Sequence, residues 1–253
     1  MKKILLFILF TFLSISYVVA NPTNKKIEIQ KINSKLYLVK SYKEIINEYD
    51  SPKPFVVDSN SLIYIDDTNA YLIDTPWNEA DMPILMVWIK NHNLHLKSAI
   101  ITHFHDDKST GIGYLSKHNI STYASKRTNA LLLKHHKPLA NHTFSTDNVI
   151  LLKNKIEVYY PGKGHTADNI VVWLPQTKIL VGGCLLKANE MTTLGWLGDS
   201  YPNEWAHSVK KVQAKYSNAT LIIPGHGNIG SKLSIINHTL KLVNHYNANS
   251  HQG

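Results

Sequence analysis

Apolar residues along this chain fall in short runs broken by Asp, Asn, Ser and Gly, a pattern that predicts strands first and alternating strands and helices later. Over residues 27–73 the runs 36–39, 62–65 and 70–73 read as consecutive short strands, hence an antiparallel start. The stretch 41–60 between the first two contains Pro52, Pro54, Ile45, Ile46, Tyr49 and Phe55, and reads as a loop too long for a tight hairpin. Thr75-Pro76 offers an N-cap and an N1 proline for a helix running to about residue 91, with Leu85, Trp88 and Ile89 on one face. Next come a strand over 98–102, a short helix near 113–117, a strand over 121–124 and a helix over 126–136. Apolar runs at 156–160, 179–181 and 221–223 predict further strands. Helices follow at 202–216, with Trp205, Val209, Val212 and Tyr216 on one stripe, and at 232–247, with Leu233, Ile236, Leu240 and Val243 likewise. The class is α/β, and no linker divides the chain.

Composition narrows this picture. A chain of 253 residues, 43% hydrophobic and 18% charged, suits one globular domain with a substantial core. Met1-Lys2-Lys3, the apolar run 4–17 and Val18-Val19-Ala20 read as a signal peptide over residues 1–20, leaving a domain over 21–253. Thr11, Ser14 and Ser16 dilute the run relative to a membrane anchor, and no cysteine near Ala20 invites lipidation. The expectation is an exported, periplasmic monomer with no stable membrane association once the signal is cleaved. Removing Lys2 and Lys3 lowers the formal charge of +9 by two, and the remaining lysines are scattered with no nucleic-acid motif, so no nucleic-acid partner is expected. Export permits disulfides, yet Cys184 is the single cysteine, and a lone thiol in an exported protein needs another reason.

Candidate chemistry sits at strand ends. The run 99–101 leads into His103-Phe104-His105-Asp106-Asp107, where period-two geometry turns His103, His105 and Asp107 to one side and Asp106 to the other. The three later strands lead to His165, Cys184 and His226. Imidazole, thiolate and carboxylate are zinc ligands, and six are too many for one tetrahedral ion. Two ions with three protein ligands each, both keeping an open position, form the arrangement expected of a catalytic centre. A structural zinc would instead be closed by four ligands with paired cysteines, which are absent. Pro161-Gly162-Lys163-Gly164 lacks the ending of a phosphate-binding loop and reads as a turn presenting His165. The remaining histidines, including His135-His136, read as surface residues.

Taken together, His103-x-His105-x-Asp107, Gly164-His165-Thr166 running into Asp168-Asn169 and the segment 170–175, Gly182-Gly183-Cys184-Leu185-Leu186-Lys187, and Pro224-Gly225-His226-Gly227 resemble the zinc metallo-β-lactamases, in the subclass with a three-histidine site and an Asp-Cys-His site. The match spans nearly all of the mature chain in order and spacing. It implies a four-layer αββα sandwich with two Zn2+ ions at one edge of the sheets. On that resemblance His103, His105 and His165 hold the first ion and Asp107, Cys184 and His226 the second. A metal-bound hydroxide oriented by Asp107 is expected to open the β-lactam amide of the antibiotic substrate, conferring resistance. Lys187 matches the lysine that pairs with the substrate carboxylate.

The chain departs from the family in Gly195-Trp196-Leu197-Gly198-Asp199, where asparagine often stands in place of Trp196. Indole offers one donor and a broad apolar face, so Trp196 is expected either to reshape the substrate pocket or to pack in the core. Lys108 and Thr110 also vary in the family and carry no reading. The stretch 41–60 is expected to act as a mobile flap closing over substrate. Two rivals remain: a thioesterase or phosphodiesterase of the same superfold, and a non-enzymatic exported zinc-binding protein. The former carry a histidine after the motif aspartate and a bridging aspartate, where this chain has Lys108 and Cys184. The latter has no evident use for a full ligand set beside Lys187.

Overall fold

The computed structural model describes residues 27–46 and 53–250. Two sheets carry the fold. The first has seven strands in chain order, β1 (Glu28–Asn33), β2 (Leu36–Ile45), β3 (Phe55–Asp66), β4 (Asn69–Ile73), β5 (His95–Ile100), β6 (Ser121–Ser125) and β7 (His142–Phe144). β1 to β4 are antiparallel, and β4 to β7 are parallel, with helices α1 (Met82–Asn91), α2 (Asp106–Ser109), α3 (Ile112–Lys117) and α4 (Lys126–Lys134) in the crossovers. The second sheet contains β8 (Asn148–Leu152), β9 (Ile156–Tyr159), β10 (Val171–Leu174), β11 (Ile179–Gly183), β12 (Leu221–Pro224) and β13 (Gly230–Ser231), in the order β13-β12-β11-β10-β9-β8. There the β11–β12 pair is parallel and the others antiparallel.

Strand alternation sorts side chains into layers. From β3, Leu62 and Tyr64 face the second sheet, where Val158, Val172, Leu174, Val181 and Ile223 meet them. Ile63 faces outward onto Met82, Leu85 and Ile89 of helix α1 (Met82–Asn91). Val171 and Trp173 of β10 face outward onto Trp205, Val209 and Val212 of α5 (Pro202–Lys215) and Ile236 and Val243 of α6 (Lys232–Ser250). Helix, sheet, sheet, helix: the αββα sandwich expected from the sequence is present. Its central layer is nearly all aliphatic, so a Leu→Ala change at Leu62 or Leu174 should cost about 2–5 kcal/mol.

Several elements differ from expectation. The stretch 41–60 is not a long loop: β2 and β3 pair continuously from Leu36↔Tyr64 to Ile45↔Phe55, so residues 41–45 and 55–60 are ladder, and only the tip lies beyond it. The polar residues Ser41, Ser59, Asn60 and Ser61 mislead because they are buried within the ladder although polar. The flap expectation for the tip itself falls largely on residues outside those described. Helix α1 starts at Met82 with Pro83 in its first turn, preceded by a 3-10 turn at Glu79–Asp81, not at Thr75-Pro76. Thr75 instead spends its hydroxyl on Lys108 O and Gly111 N. In α6 the buried stripe is Ile235, Ile236, Thr239 and Val243, and Leu233 is exposed. The signal-peptide expectation for residues 1–20 also lies outside the described residues. Among those described, no helix is long and apolar enough to cross a membrane.

Candidate metal centre and substrate cleft

The chain delivers its chemistry at one edge of the sandwich. After β5, Thr102 is pinned by Asp74, whose carboxylate accepts from Thr102 N (2.7 Å) and Oγ1 (2.9 Å), while Ile170 N donates to Thr102 O across the sheets (2.9 Å). His103 follows, fully buried. The segment does not stay extended through Asp107. His105 caps a short helical turn, α2 (Asp106–Ser109), and Lys108 N and Ser109 N both donate to His105 O. His103 and Asp107 therefore stand one turn apart, Nε2 to Oδ1 3.7 Å, as i and i+4 neighbours. Asp106 does turn away, to an ion pair with Lys137 at 2.8 Å.

His165 follows β9 in a tight turn in which Thr166 N donates to Asn169 Oδ1 and Asn169 Nδ2 to Gly162 O, each at 2.9 Å. Cys184 and His226 follow the parallel neighbours β11 and β12, whose register places Gly183 beside Pro224. Gly225 has to be glycine: a Cβ there would lie 2.4 Å from Cys184 Sγ and 2.8 Å from Cys184 N. His226 Nδ1 donates to Asp58 O at 2.5 Å, leaving Nε2 to face inward.

All six predicted donors converge. Asp107 Oδ2 lies 3.1 Å from His226 Nε2 and accepts from Cys184 Sγ at 3.3 Å, and the Asp107, Cys184 and His226 donor atoms all lie within 4.8 Å of one another. The rings of His103, His105 and His165 stand with centroids 5.0 Å apart pairwise, and His105 Nδ1 is 3.1 Å from His165 Nε2. His103, His165 and Cys184 also form a close donor group, so the two triads share a floor. His103 Nε2 is buried with no hydrogen-bond partner, the condition of an atom that spends its lone pair on a metal.

Electrostatics follow from burial. Desolvation drives the pKa of His103 and His165 well below the usual histidine range, so both stay neutral, the protonation state a metal requires. Burial would raise Asp107, yet Lys108, His226 and His103 outweigh it and hold the carboxyl well below its usual range. Burial and the neighbouring Asp107 push the Cys184 thiol far up, against the opposing pull of Lys108 and Lys187. Coordination would reverse that by deprotonating the thiol outright.

Above these donors opens a cleft of about 550 Å³. One wall is apolar, from Ile45, Phe55 and Val57 of the β2–β3 hairpin with Trp77. Lys187 also lines the cleft, buried, with Nζ 5.2 Å from the Trp205 ring centre. Trp196 lines the cleft at 47% exposure and does not pack in the core.

The family model of the metallo-beta-lactamase superfamily matches residues 54–226. The chain belongs to the metallo-β-lactamase superfamily. It is 40% identical over 230 residues to a metallo-beta-lactamase type 2 of Pseudomonas aeruginosa, covering 91% of this chain and 89% of that one. Among solved structures, the DIM-1 metallo-beta-lactamase exposed to ceftazidime superposes with a TM-score of 0.83 at 37% identity, covering 88% of this chain and 98% of that one. FIM-1 of Pseudomonas aeruginosa, solved in a mono-zinc form, superposes at 0.81 with 29% identity, covering 89% and 98% respectively.

Membership of the metallo-β-lactamase superfamily implies a bound metal, and the donors above fit one. Some functional neighbours escaped the sequence. Lys108, given no reading, is fully buried beneath Asp107, donating to Ser59 Oγ (2.7 Å), Gly225 O (2.9 Å) and Asn60 O (3.2 Å). Asp199 accepts from His105 Nε2 at 2.9 Å from 94 residues away, beyond any local signal. Exposed His135 lines the cleft and stacks on Phe104, with ring centres 5.0 Å apart.

Proposed function

We propose that this metallo-β-lactamase hydrolyses the amide bond of β-lactam antibiotics, destroying the drug and conferring resistance on the cell that carries it. One observation carries the reading: the Asp107–Cys184–His226 donor group and the three packed rings of His103, His105 and His165 meet at a drug-sized cleft that a buried lysine also lines. His103, His105 and His165 are assigned to one zinc, and Asp107, Cys184 and His226 to a second. The unpartnered His103 Nε2 and the Asp107–Cys184–His226 convergence support that division.

Zinc bound there supplies an electrophile and makes an attacking water acidic enough to react near neutral pH. Asp107 stays ionised through Lys108, His226 and His103, so its carboxylate can accept a proton-bearing neighbour and orient the attack on the lactam carbonyl. Water adds to the carbonyl carbon, the C–N bond breaks, and the water's second proton ends on the lactam nitrogen. Lys187 pairs with the substrate carboxylate, a charge-assisted bond strengthened by its burial. Ile45, Phe55, Val57 and Trp77 hold the apolar substituent and exclude water, and Trp196 closes the other side. The N-terminal pattern over residues 1–20 supports export to the periplasm, where such drugs act.

Hydrolysis of a chromogenic β-lactam tests the reading: activity should vanish on chelation and return with zinc. A folded protein that takes up no zinc, or that turns over with the metal removed, rules it out. Elemental analysis decides between one ion and two.

A further inference from the structure

We infer that Trp196 is a positioning residue for the metal centre: its indole N–H, acting through Asp199, fixes the tautomer and tilt of His105. The inference rests on His105 being a ligand, as proposed above. Trp196 Nε1 donates to Asp199 Oδ2 at 3.2 Å, and His105 Nε2 reaches the same oxygen at 2.9 Å. A carboxylate accepts only, so His105 carries its proton on Nε2 and keeps the Nδ1 lone pair, which faces His165 Nε2 at 3.1 Å. The nitrogen a histidine gives to a metal is set by the hydrogen bond its other nitrogen makes.

Asp199 cannot hold that orientation by burial, because 39% of its side chain is exposed. A side chain so open to water keeps one rotamer only if something other than packing holds it. The indole does so, and the loop is shaped for it. A Cβ on Gly198 would lie 2.5 Å from Trp196 Cζ2, 2.8 Å from Cε2 and 3.1 Å from Nε1, so the ring occupies the space that a side chain there would fill. From that place its N–H reaches the carboxylate three residues on. The same indole lines the cleft, so whatever substrate does to the ring is passed through two hydrogen bonds to His105.

Trp196→Phe keeps an aromatic wall and removes the N–H; Gly198→Ala keeps the indole and displaces it; Asp199→Asn removes the carboxylate itself. In metal-free protein, nitrogen-15 NMR of the imidazoles should show His105 as a single Nε2–H tautomer in the wild type and a mixture in all three variants. Zinc titration should show the site that contains His105 losing roughly 10-fold or more in affinity, the usual effect of removing a hydrogen bond behind a metal-bound histidine. Cobalt substitution should shift the visible absorption bands in parallel. A Trp196→Phe protein with one His105 tautomer and wild-type zinc affinity, even with reduced kcat/KM, overturns the inference and leaves Trp196 as a wall. If Trp196→Phe fails to fold, Gly198→Ala decides on the same readouts. Should His105→Ala leave zinc binding unchanged, the ligand reading fails instead, while the tautomer measurement still decides the coupling.

Discussion

Lys108 Nζ lies 3.1 Å from Asp107 Oδ2 with neither side chain substantially open to solvent, placing a permanent cation directly beneath the proposed metal site. Burial works against that charge, but Asp107, Cys184 and Asp74 together raise the Lys108 pKa above its ordinary value, so it stays protonated. The same ammonium ties β3 to the His226 loop through Ser59, Asn60 and Gly225, so one side chain serves charge balance and architecture together.

Lys108→Met is nearly isosteric and removes the charge. Breaking one partner from a buried ion pair costs about 3–5 kcal/mol, because the remaining charge is left uncompensated. Denaturant unfolding of the metal-free protein should show a loss of that order. Zinc analysis should show depletion at the Asp107 site first. Unchanged stability and metal content would mean that water replaces the ammonium at no cost.

Asp74 gives a pH signature. Its complete burial raises the carboxyl to about 7 from a usual 3.8, against the opposing influence of Lys108 and the Thr102 hydrogen bonds. The folded state therefore holds this proton more tightly than the unfolded state. The stability linked to the group is fully present below about pH 3.8 and is lost as pH rises through about 7. Asn can still accept from Thr102 N, so Asp74→Asn should gain stability relative to wild type between pH 4 and pH 8 in metal-free protein, measured by denaturant titration across that range. A difference independent of pH would show that Asp74 is ionised throughout.

The parts of this protein legible in the sequence are those where period and ligand type speak locally. The outward and inward faces of β3 and β10 alternate at Ile63 and Val172 as the period demands, and every proposed ligand follows an apolar run that is a strand. The hairpin 41–60 reads as a loop because Ser41, Ser59 and Asn60 are polar yet buried: they pair with Trp77 N, Asp107 O and Pro224 O, partners no local pattern reveals. The extended geometry expected for the whole of His103 to Asp107 gave way to a turn because His105 O captures Lys108 N and Ser109 N. Asp199 and Lys108 were illegible for the same reason. Their roles exist only once chain segments far apart in sequence have met.

Cys184 should divide the two metals. Its thiol is the only sulfur donor among the six and lies against Asp107 and His226, whereas the rings of His103, His105 and His165 stand with centroids 5.0 Å apart pairwise. Cys184→Ser exchanges a thiolate for a poor hydroxyl donor in a pocket closed by Gly225. Zinc content should fall by one ion at moderate zinc while the histidine site keeps its affinity, as read by titration against a chromophoric chelator. Equal weakening of both sites would show that the shared floor, where Cys184 also approaches His103 and His165, makes the pair one unit.

Lys187 should govern substrate binding more than turnover. Its backbone N donates to Thr239 Oγ1 at 2.9 Å, fixing its origin on α6, and its ammonium sits 5.2 Å from the Trp205 ring centre in the side chain that lines the cleft. A cation held that way meets a carboxylate without having to be ordered first, and a hydrogen bond to a charged group contributes about 1.5–3 kcal/mol. Lys187→Ala should therefore raise KM roughly 10- to 100-fold for a β-lactam bearing a free carboxylate, the range that energy sets, with a smaller change in kcat. Lys187→Arg, which keeps the charge on a longer fork, should recover part of the loss. The sharper measurement pairs each acid with its methyl ester. Wild-type enzyme should prefer the acid strongly, and Lys187→Ala should treat acid and ester nearly alike. A preference for the acid that survives in Lys187→Ala would place the anchoring charge elsewhere in the cleft, with Lys43 on the hairpin wall the next cation to replace.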